Sequence, residues 1–203
     1  MAGPQADRSS ILLVHDPRPL RRIGIDLLDP KSAYARCDGC PFPSQCVVRG
    51  HGPDEADRVI VGQAPAKQEV LMGIPFVGDA GRRLDKALLA AQIDRASLYI
   101  TNAVGCQPPN DQSPPPQEAL EACHDRLIAQ VRRRAPRKVL ALGRTAAKAL
   151  TGRTVVISEA RLRDLPLNYL DNNTKVRVTY HPSSLPRNPE WPERFDEDVR
   201  WLS

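Results

Sequence analysis

Three groups of residues in this chain have the types and spacing to do chemistry. The first is a thiol pair, Cys37-Asp38-Gly39-Cys40, with Cys46 close behind. Two cysteines separated by two residues in a Gly/Pro-rich loop bring two sulfurs within reach of one metal. The pair alone fits redox chemistry, zinc or iron–sulfur. It does not open a helix inside a strand–helix unit, which counts against redox. The second group is residues 58–78, RVIVGQAPAKQEVLMGIPFVG. A β-branched run, Val59-Ile60-Val61, reads as a buried strand. It ends at Gly62 and enters a loop with an amide, Gln63, small residues and an aromatic, Phe76. Open α/β sheets build sites at strand ends of this kind, and a polar loop beside an aromatic platform suits a flat ligand. The third group follows later strands: Asn102 after an apolar run, and His181 ahead of Pro182-Ser183-Ser184-Leu185-Pro186-Arg187.

These groups need elements to position them. Residues 79–91 place Leu84, Ala87, Leu88 and Ala91 on one helical face. Residues 98–101 read as a second strand that ends in Asn102. The loop QPPNDQSPPPQ after Cys106 excludes regular structure, and Pro116 suits the first turn of a helix running to Arg134. That helix carries Cys123. Its end is basic (Arg132, Arg133, Arg134, Arg137, Lys138), which suits either the helix dipole or a phosphate contact. Residues 139–142 are a third strand and 144–150 a short helix. Residues 154–173 read as irregular, 175–180 as a fourth strand and 191–202 as a closing helix. Strands alternating with helices predict an α/β fold, a three-layer sandwich with a central, mainly parallel four-stranded sheet flanked by helices. Two units are expected: an N-terminal extension, residues 1–30, of unknown role, and one domain over 31–203. Within the extension, residues 10–14 suggest a strand and 20–28 a helix.

Composition narrows the class. The chain has 203 residues, a formal charge of +5 and a pI near 9.1, a balance that suits a polyanionic partner. No apolar run is long enough to span a bilayer and no secretory leader is evident. Five cysteines in a chain of this length do not resemble a secreted disulfide scaffold. A cytoplasmic, nucleoid-associated protein with reduced thiols is expected.

Three segments, in order, resemble the uracil-DNA glycosylase superfamily, closest to its iron–sulfur family 4 with family 5-like departures. They are Gly62-Gln63-Ala64-Pro65-Ala66 with Glu69 and Pro75-Phe76-Val77-Gly78; Thr101-Asn102-Ala103-Val104 with Cys106 and Pro108-Pro109; and His181-Pro182-Ser183-Ser184-Leu185 with Arg187. The similarity runs from about residue 34 to the C-terminus. It implies a monofunctional glycosylase that flips uracil out of DNA, hydrolyses its bond to deoxyribose and leaves an abasic site for base excision repair. It implies a 4Fe–4S cluster on Cys37, Cys40, Cys106 and Cys123, with a zinc ion on the same thiolates as the alternative. Cys46 has no place in that set. It also implies roles. Phe76 stacks on the base, Gly62 and Ala64 line its pocket, and Asn102 reads O4 and N3–H. His181 bonds O2, while Ser183, Ser184, Leu185 and Arg187 grip DNA, with Leu185 as a wedge in the vacated stack. Gln63 departs from the family's usual Glu and would orient water rather than take its proton. Ala66 replaces the usual Gly. These two departures motivate a second expectation, the same chemistry on another deaminated or modified base. A third is an inactive DNA-binding or assembly protein on the same scaffold. The expected partner is DNA containing uracil or a modified base; a monomer is expected, with no membrane association.

Overall fold

The computed structural model describes residues 35–42, 47–109, 114–165 and 173–203. The expectations for residues 1–30 and Cys46 lie outside the described residues. Four strands, β1 (Arg58–Gly62), β2 (Tyr99–Asn102), β3 (Lys138–Leu142) and β4 (Lys175–Thr179), form one sheet in the order β2-β1-β3-β4. Every pairing is parallel, with Val59 opposite Tyr99 and Val139, and Val139 opposite Val176. Parallel strands need crossovers, which place helices on both faces and bury the strands throughout. That is why the two inner strands, β1 and β3, are almost unbroken runs of Val, Ile, Leu and Ala, while the edge strands β2 and β4 carry Tyr, Thr, Asn, Lys and Arg.

Side chains alternate across the sheet. Ile60, Ile100, Leu140 and Leu142 face one layer, packing with Leu84 and Leu88 of α2 (Asp79–Ala90) and Phe195 and Val199 of α6 (Trp191–Arg200). Val59, Val61, Tyr99, Val139, Ala141, Val176 and Val178 face the other. Their partners there are Leu127 and Val131 of α3 (Gln117–Arg134) and Ala146, Ala147 and Leu150 of α4 (Arg144–Thr151). The expected three-layer α/β sandwich is therefore the observed one. No helix among the described residues is long and apolar enough to cross a membrane.

Two short helices stand where turns or irregular chain are expected: α1 (Lys67–Met72) and α5 (Ile157–Ala160). α1 has no apolar stripe, since Leu71 and Met72 are exposed. It is closed by Gly73 at φ 68°, a left-handed cap that glycine adopts without steric cost. The segment Pro182–Arg187 winds into a 3₁₀ helix.

At the basic end of α3 only Arg134 is buried; Arg132, Arg133 and Arg137 are exposed. The Arg134 guanidinium lies 3.2 Å from the centre of the Tyr99 ring, and Arg133 and Arg134 both pair with Asp54. Arg137 pairs with Asp57, while Lys138 Nζ donates to the carbonyls of Trp201 and Ser203. The arginines thus tie the end of α3 to the segment ahead of β1, and Lys138 ties β3 to the last residues of the chain.

Candidate functional site

Strand order determines where a site forms. From β1 the chain passes to β2 at one edge, then returns across to β3 and on to β4 at the other. The connections leaving β1 and β3 diverge, and such a switch point opens a crevice at the C-terminal ends of the strands. Gly62, Asn102, Gly143 and His181 all lie at or just beyond those ends.

Gly62 is the floor. A Cβ built there would lie 2.3 Å from Asn102 Oδ1 and 2.5 Å from two ring carbons of Phe76. Only glycine admits both groups, so the amide and the ring are neighbours over one backbone position. Asn102 is 4% exposed, and its Oδ1 is buried without a hydrogen-bond partner among the described residues. A buried acceptor left unsatisfied costs on the order of 1–3 kcal/mol, which is sensible only if something fills it. Gln63 is partly buried beside it, with its carbonyl accepting from Val104 N at 3.1 Å.

Phe76 occupies the left-handed region, at φ 56°. For a bulky L-residue this costs roughly 1–2 kcal/mol, and a dense set of bonds holds it there. Glu69 is buried; its Oε1 accepts from Val77 N at 3.1 Å and Gly78 N at 2.9 Å, and its Oε2 from Ala66 N at 3.0 Å. Arg95 Nη2 donates to the carbonyls of Pro75 at 2.9 Å and Phe76 at 3.1 Å. Gly81, in the first turn of α2, is where a Cβ would come within 1.8 Å of the Phe76 carbonyl oxygen. Charge, backbone and missing Cβ together fix one ring.

The His181 ring centre lies 6.1 Å from that of Phe76. His181 Nδ1 accepts from Ser183 N at 3.2 Å and lies 2.7 Å from Ser183 Oγ. A nitrogen that accepts from a backbone N–H cannot carry the proton, so the neutral ring holds it on Nε2. Burial pulls the His181 pKa down to about 4, and attraction to Glu69 opposes this only in part. The imidazole is therefore neutral at physiological pH. Gly143, at φ 93°, backs it: a Cβ there would stand 3.2 Å from His181 Cβ.

The remaining expected DNA contacts divide. Ser183 and Arg187 are exposed. Ser184 Oγ donates to the His181 carbonyl at 2.7 Å. Leu185 is 5% exposed and packs in the core cluster with α2 and α6. Its apolar side chain has more to gain from the core than from water.

The cysteine-bearing segments converge. Arg36 N donates to Ala122 O at 2.8 Å, tying the residue before Cys37 to the residue before Cys123. Cys106 bridges Val47, and Cys106 and Cys123 share an apolar cluster with Phe42 against which Cys40 and Ala64 pack. None of Cys37, Cys40, Cys106 and Cys123 is in a disulfide. Among the described residues, no three His, Cys, Asp or Glu side chains are already gathered around a point.

The parallel sheet thus gathers a sealed amide, a strained aromatic and a neutral imidazole at its strand ends. Residues 49–203 match the profile of the uracil DNA glycosylase superfamily, and the chain belongs to that superfamily. A finer likeness is to its type-4 members. The chain is 38% identical over 156 residues to a type-4 uracil-DNA glycosylase of Thermotoga maritima, covering 75% of this chain and 79% of that one. It is 34% identical over 157 residues to the enzyme of that name from Archaeoglobus fulgidus, covering 75% and 78%. For that of Pyrobaculum aerophilum the figures are 33% over 181 residues, 86% and 92%.

Sequence reasoning missed Arg95, Gly81, Gly143 and Arg126. The glycines show themselves only by the close approaches they permit, and the two arginines carry no local signature in the sequence.

Proposed function

We propose that this chain is a monofunctional uracil-DNA glycosylase, hydrolysing the bond between deoxyribose C1′ and uracil N1 and leaving an abasic site. The observation that carries this reading is the sealed, unpartnered Asn102 Oδ1 beside the Phe76 ring over Gly62. A flipped uracil stacks on Phe76 and gives its N3–H to Asn102 Oδ1, while its O4 accepts from the amide nitrogen. Cytosine has a lone pair at N3 and a donor at C4, so the same amide repels it.

As C1′–N1 lengthens, the bonding pair moves onto the base and charge gathers at O2. His181, neutral and holding its proton on Nε2, donates a hydrogen bond to that oxygen. One such donor is worth about 10²–10³ in rate. Gln63 orients the water that adds to C1′, and that water's proton passes to solvent. An amide suffices because the sugar is already strongly electrophilic when water arrives. Gly62 and Ala64 line the pocket; Ser183, Ser184 and Arg187 meet the DNA backbone.

Cys37, Cys40, Cys106 and Cys123 would hold a 4Fe–4S cluster. Their soft thiolates and converging segments suit it, and when bound it supplies a structural cross-link between the loop ahead of β1, the loop after β2 and α3. The partner is uracil-containing DNA, reached by a basic chain.

An oligonucleotide carrying one uracil, incubated with the protein and treated with alkali, tests this. Cleavage that disappears in His181→Ala and Asn102→Ala is expected. Intact strands with tight binding would overturn it in favour of a non-catalytic scaffold. Cleavage confined to another modified base would overturn the assignment of uracil.

A further inference from the structure

Arg126 is among the largest fully buried side chains of the molecule, at 2% exposure. Arginine is almost never buried without a carboxylate partner. Here its hydrogen-bond partners among the described residues are all neutral. Nη1 donates to Gln130 Oε1 at 2.8 Å, and Nη2 donates to the carbonyls of Asn102 at 2.7 Å and Ala103 at 2.9 Å. Gln130 Oε1 also accepts from Thr101 Oγ1 at 2.9 Å. One helical turn of α3 therefore grips three successive residues, Thr101, Asn102 and Ala103.

The location explains the need. β2 is an edge strand of the sheet, paired with β1 on one side only. Its outer side is covered at Ile100 by paired hydrogen bonds with His51. Two residues on, at Asn102, no further strand follows. On the inner side the chain is fixed by Ala103 N donating to Gly62 O at 2.9 Å. On the outer side the fixing group is the Arg126 fork. A planar guanidinium can reach two adjacent carbonyls with one nitrogen and a side-chain oxygen with another, which a lysine ammonium cannot reproduce.

We propose that Arg126 is a positioning residue for Asn102: its guanidinium clamps the backbone carbonyls of residues 102 and 103, and with Gln130 and Thr101 it fixes the angle at which the amide meets the base. This rests on the reading of Asn102 as the group that contacts the base. Arg126 is buried behind the end of β2 and acts through Asn102. A misplacement near 1 Å at a reacting constellation costs on the order of 10² in rate, so losing the fork should lower kcat by roughly 10- to 10²-fold. The KM for DNA, set largely by backbone contacts elsewhere, should change little.

A double-mutant cycle separates this role from simple structural support. Single-turnover rates on a uracil oligonucleotide are measured for the full-length wild type, Arg126→Lys, Asn102→Ala and the double variant, with folding checked by circular dichroism. Expected is a loss in each single variant and a double variant within about twofold of Asn102→Ala, because the clamp has nothing left to position. Multiplying losses would overturn the proposal and leave the Asn102 reading standing. An undiminished Asn102→Ala would overturn both. If Arg126→Lys does not fold, Gln130→Met, which keeps the guanidinium but removes its Nη1 acceptor, replaces it in the same cycle. Wild-type rates in a folded Gln130→Met would then overturn the proposal.

Discussion

His181 makes the stability of this protein depend on pH in a way that can be worked out from its surroundings. Its folded pKa is about 4, lowered chiefly by burial, against about 6.5 in an unfolded chain. Between those values the unfolded chain holds a proton on this ring and the folded protein does not. The unfolded state binds more protons, so stability falls as pH falls from about 6.5 towards 4. Below 4 both states are protonated and the dependence ends; above 6.5 neither is.

Taking the two pKa values at face value, moving from pH 7 to pH 5 costs about 2 kcal/mol at this one site. The ring is partly exposed, so solvent screening reduces that to roughly 1 kcal/mol. Urea unfolding of wild type and His181→Gln at pH 5, 6, 7 and 8 isolates the term. The glutamine variant also loses the Ser183 contacts, but that offset is constant across pH; only the difference in slope belongs to the titration. Wild type should lose about 1 kcal/mol more than the variant between pH 7 and 5. The glycosylase rate should stay flat from pH 8 to 5, because the imidazole remains the same neutral donor throughout. Parallel stability lines, or a His181 ring that titrates near its ordinary value by NMR, would refute the desolvation argument and with it the neutral ring at pH 5.

Three further outcomes follow from the geometry. Gly62→Ala places a methyl 2.3 Å from Asn102 Oδ1 and 2.5 Å from the Phe76 ring; single-turnover kinetics should fall by more than about 10²-fold, with a stability loss of about 1–3 kcal/mol in urea. Glu69→Gln sets an amide nitrogen against one of the backbone N–H donors at Ala66, Val77 and Gly78. It should cost about 1.5–3 kcal/mol and lower the His181 pKa further by removing an attractive charge, which NMR titration reads directly. Protein purified without oxygen should be brown and carry iron and sulfide in similar amounts, lost in Cys106→Ala; a colourless protein with one zinc would reassign the four thiols.

The layers of the fold were legible because parallel strands buried on both faces leave long β-branched and aliphatic runs, as at Val59-Ile60-Val61 and Val139-Leu140-Ala141-Leu142. The order of the strands was not, since it depends on which helix face meets which sheet face. Gly62, Phe76, Asn102 and His181 could be nominated from strand ends and motif order. What holds them was less legible. Glu69 could be nominated from the motif as a support of its loop, but its three backbone bonds show only in the fold, and Arg126 looks like an ordinary helical charge until the fold places it beneath the end of β2.

That difference has a physical cause. The pocket groups are few and of distinctive types, while their supports are common residues whose importance lies entirely in what they touch. Phe76 at positive φ is unfavourable alone, and Asn102 Oδ1 unpaired is unfavourable alone. Both persist because Glu69, Arg95 and Gly81 over-determine the first, while Arg126, Gly62 and the inner strand over-determine the second. A sequence reports a strained site through its odd residues, whereas the strain is offset by residues with no local signature. Replacing a support should therefore injure the site about as much as replacing a contact, and Glu69→Gln beside His181→Gln measures whether it does.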